Sequence, residues 1–141
     1  KIKKMKKLSL LLFAFFGLQL CYGQVKFFEG TWSEVLQEAK KQNKPIFVDF
    51  YTSWCGPCKL MTKTTFANTN VGDYINKNYI AYKVDCEKGE GMQLAEKFEI
   101  YSYPTLCFFD KNGKLQNQEV GYKNSNDFLA LVQKHKKKMA E

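Results

Sequence analysis

Trp54-Cys55-Gly56-Pro57-Cys58 holds the residues best suited to chemistry in this chain. Two cysteines separated by two residues can close a small disulfide, hold a metal, or present a nucleophilic thiol. Their surroundings discriminate. Phe47-Val48-Asp49-Phe50-Tyr51 reads as a buried strand, and Lys59-Leu60-Met61 begins a helical pattern. The pair therefore stands where a strand hands over to a helix. A helix N-terminus offers free N–H groups and a positive dipole end, which stabilise a thiolate.

A zinc site would need further ligands, commonly a second closely spaced pair. The chain has one histidine, His135, in a lysine-rich tail, and Cys86 and Cys107 stand alone. Metal binding is not expected. An inert structural disulfide is the other alternative, but so short a loop constrains the unfolded chain little. Redox chemistry is the favoured reading of the pair.

The elements that must position it follow from local signals. Thr31-Trp32-Ser33-Glu34 has capping-box spacing, so a helix should run to about Gln42, with Trp32, Val35, Leu36 and Ala39 inward. Asn43-Lys44-Pro45 ends it. A central strand runs from Pro45 to Tyr51. Helix is expected from Cys58 to about Phe66, and a short helical turn over Asn70 to Ile75. A strand over Tyr79 to Asp85 and a helix over Met92 to Phe98 come next. Thr105 to Phe109 and Leu115 to Gly121 form a hairpin about Asn112-Gly113. Ser125 caps a last helix, Asp127 to about Lys136. This order predicts an α/β fold, a central mixed sheet with helices on both faces.

The length, 141 residues, suits one domain. The net charge of +8 is unevenly placed: Lys1, Lys3, Lys4, Lys6 and Lys7 supply five of the 22 basic residues. All 22 are lysine. Readers of nucleic acid commonly use arginine on guanine edges and phosphates, so no nucleic-acid partner is expected.

Those lysines precede Leu8 to Leu20, an apolar run without a polar face. It is short for a membrane span, which needs about 20 residues. A secretory signal over residues 1–23 is expected, with Cys21-Tyr22-Gly23 offering small residues at the cut and a domain over 24–141. Lipidation of Cys21 and an uncleaved anchor are the alternatives; Leu20 sits where a lipoprotein signal wants a small residue. Export to the periplasm is the expected location, and there disulfides persist.

Phe47-Val48-Asp49-Phe50 followed by Trp54-Cys55-Gly56-Pro57-Cys58 resembles the active-site strand and motif of the thioredoxin family. Tyr103-Pro104-Thr105-Leu106 resembles its cis-proline loop. Asp110-Lys111-Asn112-Gly113 and Val120-Gly121 match its hairpin and the glycine beside the active site. The resemblance covers about Trp32 to Lys136. Thr64-Thr65-Phe66 and the helix before Pro45 look closer to exported members, including the C-terminal domain of the transmembrane thiol:disulfide interchange reductase.

The resemblance implies a thioredoxin fold and assigns roles. Cys55, exposed at the helix terminus, attacks a substrate disulfide; Cys58, more buried, resolves the mixed disulfide. Asp49 takes the proton of Cys58, its pKa raised by burial; a strand-end cap is the alternative. Pro104 is cis, with an ordinary turn proline as the alternative, and Tyr103 pairs with substrate backbone. Trp54, Gly56, Pro57 and Gly121 complete the substrate surface, which Tyr101 and Tyr103 either widen or merely cover. Tyr51 replaces the family's usual tryptophan. The lysine that pairs with the family's aspartate has no evident counterpart: alternation points to Ala81, with Lys83 two residues on. Cys86 and Cys107 would lie about two strand spacings apart, near 10 Å, too far for a bridge. Cys107 is expected in the core and Cys86 at a strand end.

The function expected is a thiol–disulfide oxidoreductase that reduces protein disulfides without a cofactor, as a monomer. Its electrons would come from a membrane-bound thiol:disulfide donor. An isomerase or oxidase is the alternative enzyme. A binding module with incidental cysteines and a metal-delivery protein are the alternatives from other classes.

Overall fold

In the computed structural model, residues 23–140 are described. The expected signal segment and Cys21 lie outside them, apart from Gly23. In chain order the elements are α1 (Trp32–Gln42), β1 (Ile46–Tyr51), α2 (Gly56–Lys63), α3 (Thr69–Asn78) and β2 (Ile80–Asp85). They continue with α4 (Glu90–Lys97), β3 (Thr105–Phe109), β4 (Leu115–Val120) and α5 (Ser125–Ala140). The strands form one sheet in the order β2-β1-β3-β4. β1 runs parallel to β2 and antiparallel to β3, and β3 and β4 form an antiparallel hairpin.

β1 is central because its residues can be buried on both sides. Ile46, Val48 and Phe50 face a core shared with Trp32, Val35 and Ala39 of α1 and Leu94 and Ala95 of α4. Phe47 faces the opposite core, with Met61 of α2, Val71 and Ile75 of α3, and Phe128 and Val132 of α5. The period-2 alternation of a strand thus divides one apolar run between two helical layers. Asp49, in phase with Phe47, projects to the side of α2, α3 and α5.

The helix ends follow their caps. Thr31 and Glu34 form the expected capping box, and Asn43 closes α1 in the left-handed region at φ 52°. α2 starts two residues earlier than expected. Cys55 is its N-cap, with Sγ accepting from the Cys58 N–H at 3.2 Å, and Pro57 lies in the first turn, where a missing N–H costs nothing. The helix then ends at Lys63, short of Phe66.

Two further expectations are corrected. The short turn over Asn70 to Ile75 is the ten-residue helix α3, capped by Asn68, whose Oδ1 accepts from the Val71 N–H. Its Gly72 has a steric reason: a Cβ there would lie 1.7 Å from the Gly23 carbonyl oxygen, so the incoming chain could not cross the helix. The last helix, expected from Asp127 to about Lys136, runs from Ser125 to Ala140. Within it His135, from the lysine-rich tail, is in register with Phe128 and Val132 and is buried, stacked on Phe108 at 4.4 Å. Its Nε2 meets Asn117 Nδ2 at 3.0 Å, and burial holds its pKa below the usual histidine range despite Glu119 nearby.

Candidate active site

The site lies at the C-terminal end of β1, where Thr52 and Ser53 lead into α2. Cys55 and Cys58 are joined by a disulfide, with their Cα atoms 5.3 Å apart. Cys55 is covered in this oxidised form: it is 3% exposed, as Cys58 is, against the exposed position expected. The exposed neighbour is Trp54, at 65%.

Trp54 is fixed rather than loose. Its indole Nε1 donates to Glu87 Oε1 at 2.9 Å, and its ring meets the Tyr103 ring edge-on at 6.0 Å. The Tyr103–Pro104 peptide is cis. The Pro104 carbonyl accepts from the Gly121 N–H at 2.8 Å, which sets Gly121 beside this loop. Gly121 has φ 96°, a left-handed conformation that other residues adopt only at a cost. Tyr101, two residues before Tyr103, is 80% exposed, and Tyr122, next to Gly121, is exposed too. Gly56 and Pro57 form the first turn of α2. The structure therefore gathers Trp54, Cys55, Gly56, Pro57, Cys58, Tyr103, Pro104 and Gly121 at one end of the sheet. Glu87 is a further participant, which the sequence signalled only as one charge in a polar stretch.

Asp49 is fully buried and neither carboxylate oxygen has a hydrogen-bond partner. Burial pushes its pKa up to about 6, opposed by the Lys83 charge. Lys83 corrects the alignment expected by alternation. The parallel register pairs Phe47 with Ala81 and Asp49 with Lys83, so the lysine is directly across the strand pair from the aspartate. Its Nζ is 3.7 Å from Asp49 Oδ2 and 2.6 Å from Thr62 Oγ1. The register of a parallel pair depends on how a crossover packs, so counting along one strand misplaced the lysine.

A cavity of about 200 Å³ opens beside the disulfide, with Tyr51, Thr52, Cys58, Thr62 and Lys83 in its wall. The Thr52 hydroxyl is buried and unpartnered. Cys86 and Cys107 are free and buried. Burial, reinforced by nearby negative charge, pushes each thiol up to about 12. Among the described residues no group of three or more His, Cys, Asp or Glu side chains could hold a metal ion.

The arrangement can cycle a dithiol and a disulfide, with a buried carboxyl available for a proton. Comparison with known proteins agrees with this chemistry. Residues 32–136 match the thioredoxin-like domain family. A thiol:disulfide interchange protein DsbD from Campylobacter jejuni is 31% identical over 116 residues, 81% of this chain but 19% of that protein. The chain thus spans about a fifth of that relative's length. A thioredoxin from Mycoplasmoides gallisepticum is 31% identical over 97 residues, covering 69% of this chain and 90% of the relative. Among solved structures, a candidate disulphide-isomerase from Bacteroides thetaiotaomicron superposes with TM-score 0.71 at 37% identity. That superposition covers 79% of this chain and 92% of the other.

Proposed function

The chain belongs to the thioredoxin-like domain family and is a thiol–disulfide oxidoreductase, and from that premise we propose that it reduces protein disulfides in the periplasm. The observation that carries this is a redox-closed Cys55–Cys58 pair at a helix N-terminus beside a buried, unpartnered carboxyl. In the reduced protein the Cys55 thiolate is favoured by the N-terminal N–H groups of α2. It attacks one sulfur of a substrate disulfide, and the other sulfur leaves as a thiolate. The Cys58 thiol gives its proton to the Asp49 carboxylate. Its sulfur then attacks Cys55 Sγ, and the second substrate sulfur leaves. The substrate gains two electrons and the pair becomes the disulfide.

Trp54, Tyr103, Pro104 and Gly121 form the surface on which the substrate lies, and the Tyr103 backbone pairs with it. No cofactor takes part, and the protein acts as a monomer. A thiol donor must then reduce the pair. The likeness to the DsbD relative favours a membrane-bound thiol:disulfide protein in that role, and the basic, apolar start of the chain favours export. A second reading, isomerisation, is favoured by the 37% identity to the candidate disulphide-isomerase.

The reduction potential of the Cys55–Cys58 pair separates the two. Equilibration with dithiol buffers is expected to give about −270 mV, the value of a reductant. A value of about −180 mV or above would instead favour the isomerase or oxidase reading.

A further inference from the structure

Lys83 is opposite Asp49, yet it is not hydrogen-bonded to it. The separation of 3.7 Å is beyond hydrogen-bond range. The ammonium is held elsewhere: it donates to Thr62 Oγ1 at 2.6 Å, and the Thr62 hydroxyl donates to the Cys58 carbonyl oxygen at 3.1 Å. A hydroxyl has one proton and spare lone pairs, so it can serve both groups at once. Three rings also lie about the ammonium, Tyr51 at 4.8 Å from Nζ, Phe27 at 5.6 Å and Phe66 at 5.9 Å. The ammonium is thereby held to the Thr62 side chain of α2. Asp49 keeps a cation close by but has no donor on either oxygen.

The consequence is electrostatic. A charge-assisted hydrogen bond from Lys83 would favour ionised Asp49 and weaken it as a base. At the present separation that effect is partial, and a basic carboxyl is retained. We propose that Thr62 is a positioning residue: its hydroxyl, anchored on the Cys58 carbonyl, accepts from the Lys83 ammonium and so keeps the Asp49 carboxyl free to accept a proton. The role of the free carboxyl rests on the reading of Asp49 as the proton acceptor for Cys58.

The other titratable groups near Asp49 do not obscure a test. Cys107 of β3 and Cys86, just after β2, have thiols pushed up to about 12, and Tyr51 is raised above the usual tyrosine range. Cys58 of α2 does not titrate while it is in the disulfide. Thr62 is exposed, so replacing it leaves the core intact.

The test is the carboxyl titration of Asp49 by carbon-13 NMR in the oxidised full-length chain. Thr62→Val, which keeps the shape and loses the hydroxyl, should lower the midpoint by about half a pH unit or more as Lys83 closes on Asp49. Thr62→Ser, which retains the hydroxyl, should restore the midpoint. The acid limb of the rate–pH profile for disulfide reduction should move with it. An unmoved midpoint in Thr62→Val, or an equal shift in Thr62→Ser, overturns the inference. Asp49→Asn keeps the two possible failures apart. If its acid limb is intact, Asp49 is not the base and the role of Thr62 falls with it. If the limb is lost while the Thr62→Val midpoint stays put, the Thr62 inference alone fails.

Discussion

Two sets of cysteines lie within this small domain and are treated oppositely. Cys55 caps α2, its sulfur accepting from the Cys58 N–H, and Cys58 lies in the first turn; the two are bonded to each other. Cys86 and Cys107 are packed among Val48, Val84 and Phe109, where a thiolate would be stripped of water. Both pairs are buried, so burial alone does not separate them. What separates them is placement: the Cys55 sulfur accepts an N–H at the start of α2, whereas burial and nearby negative charge push the Cys86 and Cys107 thiols up to about 12. Reactivity here belongs to the site, not to the residue type.

Breaking each set in turn should give unequal results. Cys55→Ser should lower turnover of a protein disulfide at least ~100-fold, because among the described residues no other thiol caps a helix N-terminus. Cys107→Ala should leave the rate within about twofold. Reduction of insulin followed by turbidity measures both; comparable losses in the two variants would erase the distinction.

Asp49 sharpens the comparison on the side of stability. Its carboxyl is raised from 3.8 to about 6 in the folded chain. The folded protein therefore binds the proton more tightly than the unfolded chain. This contribution is fully present below pH 3.8 and is lost as pH rises through about 6. Asp49→Asn should accordingly stabilise the oxidised protein at pH 8 by on the order of 2 kcal/mol, and by little at pH 4. Urea unfolding at the two pH values reads the difference, and a gap that does not depend on pH would contradict the burial of an ionisable carboxyl.

The smallest effect is expected in the core pair. Cys107→Ala removes one fully buried sulfur and should cost about 1 kcal/mol by thermal or urea unfolding. A loss of several kcal/mol would mean that Cys107 does more than fill space.

Much of the site was legible in the sequence because it is local. The Cys55-Gly56-Pro57-Cys58 spacing, the strand before it and the helix after it are all fixed within about fifteen residues. The capping box of α1 and the turn at Asn112-Gly113 are local too, and the structure has both. The extent of α3 and α5 was read short. In α3 the N-cap is Asn68, two residues ahead of the visible apolar pattern, and α5 runs past Lys136 to Ala140 through a stretch of lysines with little apolar pattern.

By itself the sequence determined the chemistry available, the α/β alternation and the identity of the central strand, because side-chain type and period 2 or 3.6 are properties of neighbouring residues. Only the tertiary structure decided that Lys83 faces Asp49, that its ammonium donates to Thr62, that Glu87 fixes Trp54, and that His135 is buried on Phe108. Each of these joins elements that are distant along the chain. Their register and approach are set by the packing of helices on the sheet, which no local pattern encodes.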